Sequence, residues 1–151
     1  METIYDILKA EHDQVADLLQ QALSDGSKVS FVKLRLKTDP HMMGEEQLFY
    51  PRLEEKEELH DLVVEAYQEH NEAKTLICEM EGMDERDEEW ASKLSELKRS
   101  IDHHVEEEES RVFERARSVL SQQEAEEIAQ QYVEFKRGYM NRVETGEPPL
   151  A

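Results

Sequence analysis

Six ionisable residues stand at positions that the hydrophobic pattern of the chain assigns to a protein core. Apolar residues recur every three or four positions, as on the inner face of an α-helix, and each of the six continues such a pattern. They are His12, His41, Glu45, His70, His104 and Glu108. Imidazole nitrogens and carboxylate oxygens are ligands of transition metals. These residue types therefore indicate a metal centre inside a helical core.

The stripe around His104 shows this spacing most clearly. Its members follow one another by three or four positions: Trp90, Leu94, Leu97, Ile101, His104, Glu108 and Val112. A buried glutamate without a partner is costly, because desolvation opposes its charge. Metal cations remove that cost, since neutral imidazoles donate to them and carboxylates neutralise them. We therefore favour a metal site over a metal-free polar core.

The candidate ligands repeat in the two halves of the sequence. The matching segments are Glu11-His12-Asp13 with Glu69-His70-Asn71, and His41 with Glu45-Glu46 against His104 with Glu108-Glu109. Each half offers two histidines and one carboxylate, which predicts a pseudo-twofold site between two helical hairpins. Such symmetry suits two metal ions bridged by the two carboxylates. Glu46 and Glu109, each one position past a proposed ligand, are predicted to be surface groups or to lie behind the ligands.

The elements that position these residues are predicted to be helices. Few glycines and prolines and plentiful Glu, Lys, Leu and Gln favour this fold class. The expected helices cover residues 4–23, 30–55, 58–81, 85–117 and 121–139. Short links predict an all-α, up-down-up-down four-helix bundle with an additional short C-terminal helix along the outside or at one end. Pro40 and Pro51 predict a kink or a break in the second helix.

Local signals mark several helix ends. Thr3 with Asp6, and Ser121 with Glu124, have the spacing of capping boxes, and Asp25-Gly26 is expected to end the first helix. The 151 residues have the size of one domain, which we assign to residues 1–141, with 142–151 as a C-terminal tail.

Composition limits the partners. The net charge of −19 argues against nucleic acid and against an anionic membrane surface. No apolar run approaches the roughly 20 residues of a membrane helix, and the N-terminus lacks the pattern of a signal peptide. We therefore expect a cytoplasmic location. The single cysteine, Cys78, cannot form an internal disulfide and is expected to be buried.

These motifs resemble the hemerythrin-like HHE cation-binding family over about residues 4–117. The segments that carry the resemblance are Glu11-His12-Asp13, the run from His41 through Glu45-Glu46 to Pro51, Glu69-His70, and His104 through Glu108-Glu109. The resemblance implies a four-helix bundle around a non-haem di-iron centre with an oxo or hydroxo bridge. It also implies that Glu45 and Glu108 bridge the irons, that both histidines of the first half bind one iron, and that both of the second half bind the other. Each iron would keep an open position.

One position departs from the oxygen-carrying members of that family. They have a second histidine one turn after the third-helix ligand, where this chain has Lys74. The set of four histidines and two glutamates is similar to that of proteins that repair iron centres damaged by nitric oxide or oxidants. Lys74 is expected either to stabilise negative charge on oxygen species or to extend to the surface.

The predicted function is therefore that of a di-iron protein that binds or reacts with oxygen, nitric oxide or peroxide, in oxidative or nitrosative stress. Two other hypotheses stay open: an iron-sensing or iron-handling bundle, and a metal-free helical interaction module. A large fall in melting temperature on chelation favours iron handling, because a ligand that binds only the folded state stabilises it. Retention of metal through reaction cycles favours the reactive protein.

Overall fold

The computed structural model describes residues 1–146, which fold into helices without any strand in that range. The α-helices are α1 Ile4–Asp25, α2 Lys28–Gly44, α3 Tyr50–Glu54, α4 His60–Glu81, α5 Trp90–Glu107, α6 Phe113–Val119 and α7 Gln122–Thr145. A π-turn at Glu45–Phe49 joins α2 to α3, and another at Glu108–Val112 joins α5 to α6. The all-α fold class is therefore confirmed. Within this range, no helix has the length and apolar character required to traverse a lipid bilayer.

The capping boxes at the starts of α1 and α7 are present as predicted. The Thr3 backbone N–H donates to the Asp6 carboxylate at 2.9 Å, and the Ser121 backbone N–H donates to that of Glu124 at 3.0 Å. Gly26 ends α1 in the left-handed conformation, with φ of 63°. These local bonds fix the entry of both helices, because they satisfy N–H groups that have no partner within the helix.

The C-terminal helix is longer than the sequence indicated. Helix α7 has 24 residues and continues past residue 141, where the domain was predicted to end, as far as Thr145. It packs along α1 and α2, so it lies on the outside of the bundle. The residues that follow Tyr139 are mostly exposed, and the helix ends at Gly146, whose left-handed backbone (φ 75°) donates its N–H to the carbonyls of Arg142 and Val143. The rest of the predicted tail, from residue 147, lies outside the described residues.

The second helix does not break at its prolines. Pro40 lies inside α2, and the irregularity is the π-turn that follows at Glu45–Phe49. Pro51 falls in the first turn of α3, where a missing N–H is tolerated. The π-turn at Glu108–Val112 has no proline, so proline is not required for this irregularity.

Helix α5 begins at Trp90, five residues later than predicted. The Asp84 carboxylate accepts from the backbone N–H of Arg86, and that of Asp87 accepts from the N–H of Glu89. Such local bonds offer the backbone an alternative to the helix. They hold residues 84–89 in turns between α4 and α5.

Buried apolar residues form two clusters at opposite ends of the bundle. One contains Ile4, Leu8, Phe49, Leu53 and Phe113, and the other contains Leu19, Phe31, Leu34, Leu94 and Leu97. A layer of buried histidines and glutamates separates them. Cys78 was expected to be buried but is exposed, because it follows the inward Ile77 by one position and is turned about 100° from it.

Candidate metal centre

The six residues that the sequence assigned to the core meet in the layer between the two apolar clusters. Each is at most 7% exposed. They form two groups, within each of which the candidate ligand atoms lie within 4.8 Å of one another. The first group is His12, His41, Glu45 and Glu108, and the second is His70, His104, Glu45 and Glu108. Both glutamates are therefore shared.

Each shared glutamate lies between two histidines from different halves of the sequence. The distances from Nε2 to a carboxylate oxygen are 3.2 Å for His41 and 3.0 Å for His70 to Glu45, and 3.2 Å for His12 and 3.3 Å for His104 to Glu108. This placement has the pseudo-twofold symmetry that the repeated sequence predicts.

The donor atoms that face the centre fit a pair of cations. Four of them form no well-aligned hydrogen bond with any described residue, despite the short distances above: His12 Nε2, His41 Nε2, Glu45 Oε2 and Glu108 Oε1. Leaving such a buried polar atom unsatisfied costs about 1–3 kcal/mol. Converging imidazole nitrogens and carboxylate oxygens that lack other partners are a suitable ligand set for first-row transition metals.

Each of the four histidines also has a carboxylate on its outer side. The distances from Nδ1 to oxygen are 2.7 Å for His12 to Glu109, 2.8 Å for His41 to Glu11, 2.6 Å for His70 to Glu46, and 2.8 Å for His104 to Glu69. A carboxylate at Nδ1 holds the proton there and leaves the Nε2 lone pair directed at the centre. The arrangement therefore orients all four rings for metal binding.

These outer carboxylates divide into predicted and unpredicted pairs. The sequence predicts Glu46 and Glu109 either at the surface or behind the ligands, and the structure shows the second arrangement. The sequence pattern does not identify a role for Glu11 and Glu69, although each directly precedes a histidine in a repeated Glu-His pair. That repeat was the feature of the sequence that could have identified Glu11 and Glu69 as part of the site. It could not identify their partners, because each bonds to a histidine of the next long helix rather than to its neighbour in sequence.

The electrostatics of the metal-free centre favour positive charge. Burial lowers the pKa of His41, but the carboxylates of Glu45 and Glu11 outweigh it and raise the pKa to about 10. Burial likewise opposes the charge of His104, and Glu108 and Glu69 raise its pKa well above the ordinary value. The negative charge of the buried carboxylates is therefore balanced by protons on the histidines. Metal cations that displace those protons would balance the same charge.

Tyr50 and Phe113 make the two halves of the centre unequal. Each lies five positions after a shared glutamate. The Tyr50 hydroxyl donates to Glu108 and lies 3.3 Å from His70 Nε2, whereas the Phe113 ring stacks 6.2 Å from the ring of His12. Burial and the neighbouring Glu108 raise the pKa of Tyr50, so the phenol keeps its proton. The sequence pattern did not distinguish Tyr50 from the other tyrosines.

Lys74 lies behind His70. Its ammonium donates to both carboxylate oxygens of Glu46, at 2.9 and 2.7 Å, and Glu46 accepts from His70 Nδ1. The amine is thus on the outer side of the histidine ring. The Lys74 ammonium therefore neither faces the centre nor extends freely to the surface, the two positions expected from the sequence.

A small cavity adjoins all four histidine rings. Its volume is about 30 Å³, and its apolar wall includes Val15, Met42, Ala73, Ile101 and Val105. One water requires a volume of roughly 10–15 Å³ on this measure, so the cavity has room for a ligand of only two or three heavy atoms.

Comparisons with known proteins concern the family and the fold. The model of the hemerythrin HHE cation-binding domain matches residues 3–116, a range that contains all six candidate ligands. No curated protein matches the chain. A solved hemerythrin HHE cation-binding domain-containing protein from Mycobacterium kansasii is similar in fold, with 19% identity and a TM-score of 0.79 over 96% of this chain and 94% of that one. Because the family match spans most of the sequence, this chain belongs to the hemerythrin HHE cation-binding domain family.

Proposed function

We propose that this chain is a non-haem di-iron protein that binds or reacts with oxygen, nitric oxide or peroxide. The observation that carries the proposal is the sharing of Glu45 and Glu108 by two groups of buried histidines. Two four-residue groups with both carboxylates in common suit two metal ions side by side. Iron fits a mixed set of imidazole and carboxylate ligands, and the two ions would be joined by an oxo or hydroxo bridge.

The ligands would divide between the two irons. His12 and His41 would hold one iron, His70 and His104 would hold the other, and Glu45 and Glu108 would span both. Two imidazoles and two carboxylate oxygens do not fill an octahedral shell, so a position remains for a small ligand. Bound iron would supply the exchange of electrons with that ligand.

The protein itself selects the ligand by size and polarity. The cavity of about 30 Å³ beside the histidines admits a diatomic molecule or peroxide and excludes organic substrates. Its apolar wall removes bulk water from the site, which strengthens the electrostatic interactions within it. The buried Tyr50 hydroxyl donates to Glu108 and holds that carboxylate in place. These features support binding of a small ligand at the centre.

We place this activity in the response to oxidative or nitrosative stress, in the cytoplasm. A role in stress is supported by the set of four histidines and two glutamates, which is similar to that of proteins that repair damaged iron centres. The exposed free Cys78 suits a reducing compartment, where thiols persist. The net charge of −19 supports a small-molecule ligand rather than nucleic acid or an anionic membrane as the partner.

The test is the metal content of protein produced in iron-supplemented medium, with an optical spectrum after purification and again after anaerobic reduction and exposure to oxygen. We expect about two irons per chain and a near-ultraviolet band that bleaches on reduction and returns with oxygen. Absence of both iron and the band in folded protein would contradict the proposal. Iron that is lost reversibly, with a large fall in melting temperature, would instead support iron sensing or handling.

A further inference from the structure

Helix α7 reaches the metal centre through Tyr132 and Lys136, although the family match ends at residue 116. We propose that this pair positions His41 through Glu11 and so determines how firmly one of the two irons is held. The inference rests on the proposed function for the identity of the bound metal. It assigns a role to a helix that lies beyond the ligand-bearing part of the chain.

The contacts form a short relay from α7 to the centre. The Tyr132 hydroxyl donates to Glu11 Oε1, and the Lys136 ammonium donates to Glu11 Oε2. Glu11 Oε1 also accepts from His41 Nδ1 at 2.8 Å. Both oxygens of Glu11 are therefore occupied, which leaves its side chain a single orientation behind His41. Because Nδ1 is held in this way, Nε2 is directed at the centre.

Charge and burial make Lys136 more than a packing residue. Glu11 is 6% exposed, and a buried carboxylate requires a compensating charge. Lys136 supplies it by direct contact, while Lys37 is 3.9 Å from Glu11 Oε2. Helix packing alone would require neither the hydroxyl of Tyr132 nor the ammonium of Lys136 to converge on one carboxylate.

Helix α2 has a glycine, Gly44, where the ring of Tyr132 packs against it. A Cβ at Gly44 would lie 2.4 and 2.8 Å from carbons of the Tyr132 ring, so only glycine allows the ring to lie this close. Glycine inside a helix is unfavourable by roughly 0.5–1 kcal/mol relative to alanine. Gly44 directly precedes Glu45, which places the ring of Tyr132 beside the start of the π-turn.

The corresponding carboxylate in the other half lacks this support. Glu69 Oε1 accepts from His104 Nδ1, but Glu69 Oε2 has no hydrogen-bond partner among residues 1–146. An exposed imidazole approaches that oxygen: His103 Nε2 lies 3.3 Å away, on a side chain that is 60% exposed. Helix α7 therefore acts on one half of the pseudo-twofold centre and makes the two iron positions different.

The experiment compares iron release from full-length variants loaded anaerobically with Fe²⁺ and then mixed with a chromogenic chelator. Lys136→Met should release one of its two irons several-fold faster than wild type, with the other unchanged. The effect should be smaller than the roughly 10- to 100-fold change expected on loss of Glu11, the direct partner of His41. Tyr132→Phe should have a smaller effect on the same iron. Lys136→Arg should restore slow release. Tyr139→Phe removes the hydroxyl of another buried tyrosine of α7, one that does not contact Glu11, and it should behave as wild type.

A matched variant identifies the affected iron. Lys74→Met removes the ammonium from Glu46, behind His70 in the other half, and should accelerate release of the other iron. The double variant Lys136→Met with Lys74→Met should then lose both irons rapidly. Double-variant kinetics in which one iron remains slow would mean that both lysines act on one position, and would overturn the inference.

A second readout does not depend on iron. In the metal-free protein, the His41 Nδ1–H proton should give a resolved NMR signal protected from water, and this signal should broaden or shift in Tyr132→Phe and Lys136→Met. Wild-type release rates in both variants would overturn the inference while leaving the proposed function intact. Wild-type protein that binds no iron would contradict the proposed function, and the positioning of His41 would then be decided by the NMR signal alone.

Discussion

Glu45 and Glu108 each occupy the first position of a five-residue π-turn, and both side chains are completely buried. Each turn closes with a hydrogen bond from the backbone N–H five residues later to the glutamate carbonyl. The wider turn brings successive residues closer to one face than an α-helix does. For this reason Glu45 can face the centre while the adjacent Glu46 reaches His70.

The sharing of both glutamates predicts different effects of glutamate and histidine variants. Glu108→Ala should greatly weaken binding of both irons, because Glu108 belongs to both ligand groups. His12→Ala should weaken binding of only one. Iron per chain, measured after gel filtration, distinguishes the two results. Glu106→Ala, an exposed position two residues before Glu108, is the control and should retain both irons. Equal iron loss in the glutamate and histidine variants would contradict the shared arrangement.

The outer carboxylates predict a graded loss of affinity. Glu69→Gln should lower the affinity for one iron by about 10- to 100-fold, because the amide no longer holds the proton on His104 Nδ1 as a carboxylate does. Isothermal titration with Fe²⁺ under anaerobic conditions measures the effect. Glu72→Gln, exposed on the same helix, removes the same charge without touching a histidine and should leave both affinities unchanged. Equal affinities in the two variants would show that the Glu69 contact has no role in binding.

The cavity predicts that ligand access can be reduced without loss of metal. Ala73→Val adds two methyl groups to a wall of the 30 Å³ cavity and should slow nitric oxide binding to the ferrous protein, with two irons retained. Stopped-flow absorbance gives the rate. Ala66→Val makes the same change on the same helix, but in the apolar cluster at one end of the bundle. It controls for the effect of overpacking. Similar slowing in both variants would argue against the cavity as the ligand site.

The close approach of Tyr132 to Gly44 predicts an unusual response to alanine. Gly44→Ala should lower the free energy of unfolding by about 1–3 kcal/mol, because the new Cβ would overlap the tyrosine ring. Gly138→Ala on α7 is the matched control, since a Cβ there would meet nothing within 4 Å apart from the adjoining backbone of its own helix. It should stabilise the protein by up to about 1 kcal/mol. Urea unfolding of the metal-free protein measures both values, and a stabilised Gly44→Ala protein would contradict the contact.

Much of the fold and of the centre could be predicted from sequence because the information is local. Residues three and four apart lie on the same face of a helix. The inward direction of His104 and Glu108 therefore follows from the apolar stripe that begins with Trp90 and Leu94. The capping boxes at Thr3 and Ser121 are equally local, since each joins residues three apart. The pseudo-twofold arrangement follows from the repeat of these local patterns in the two halves.

Only the tertiary structure decided the contacts between helices. The hydrogen bonds from His12 to Glu109, and from Tyr132 to Glu11, join residues far apart in the chain, and neither periodicity nor composition specifies such partners. Sequence determined which residues face the core, because side-chain direction follows helix periodicity. The packing of helices determined which carboxylate holds which histidine, because that depends on the distance and angle between separate elements.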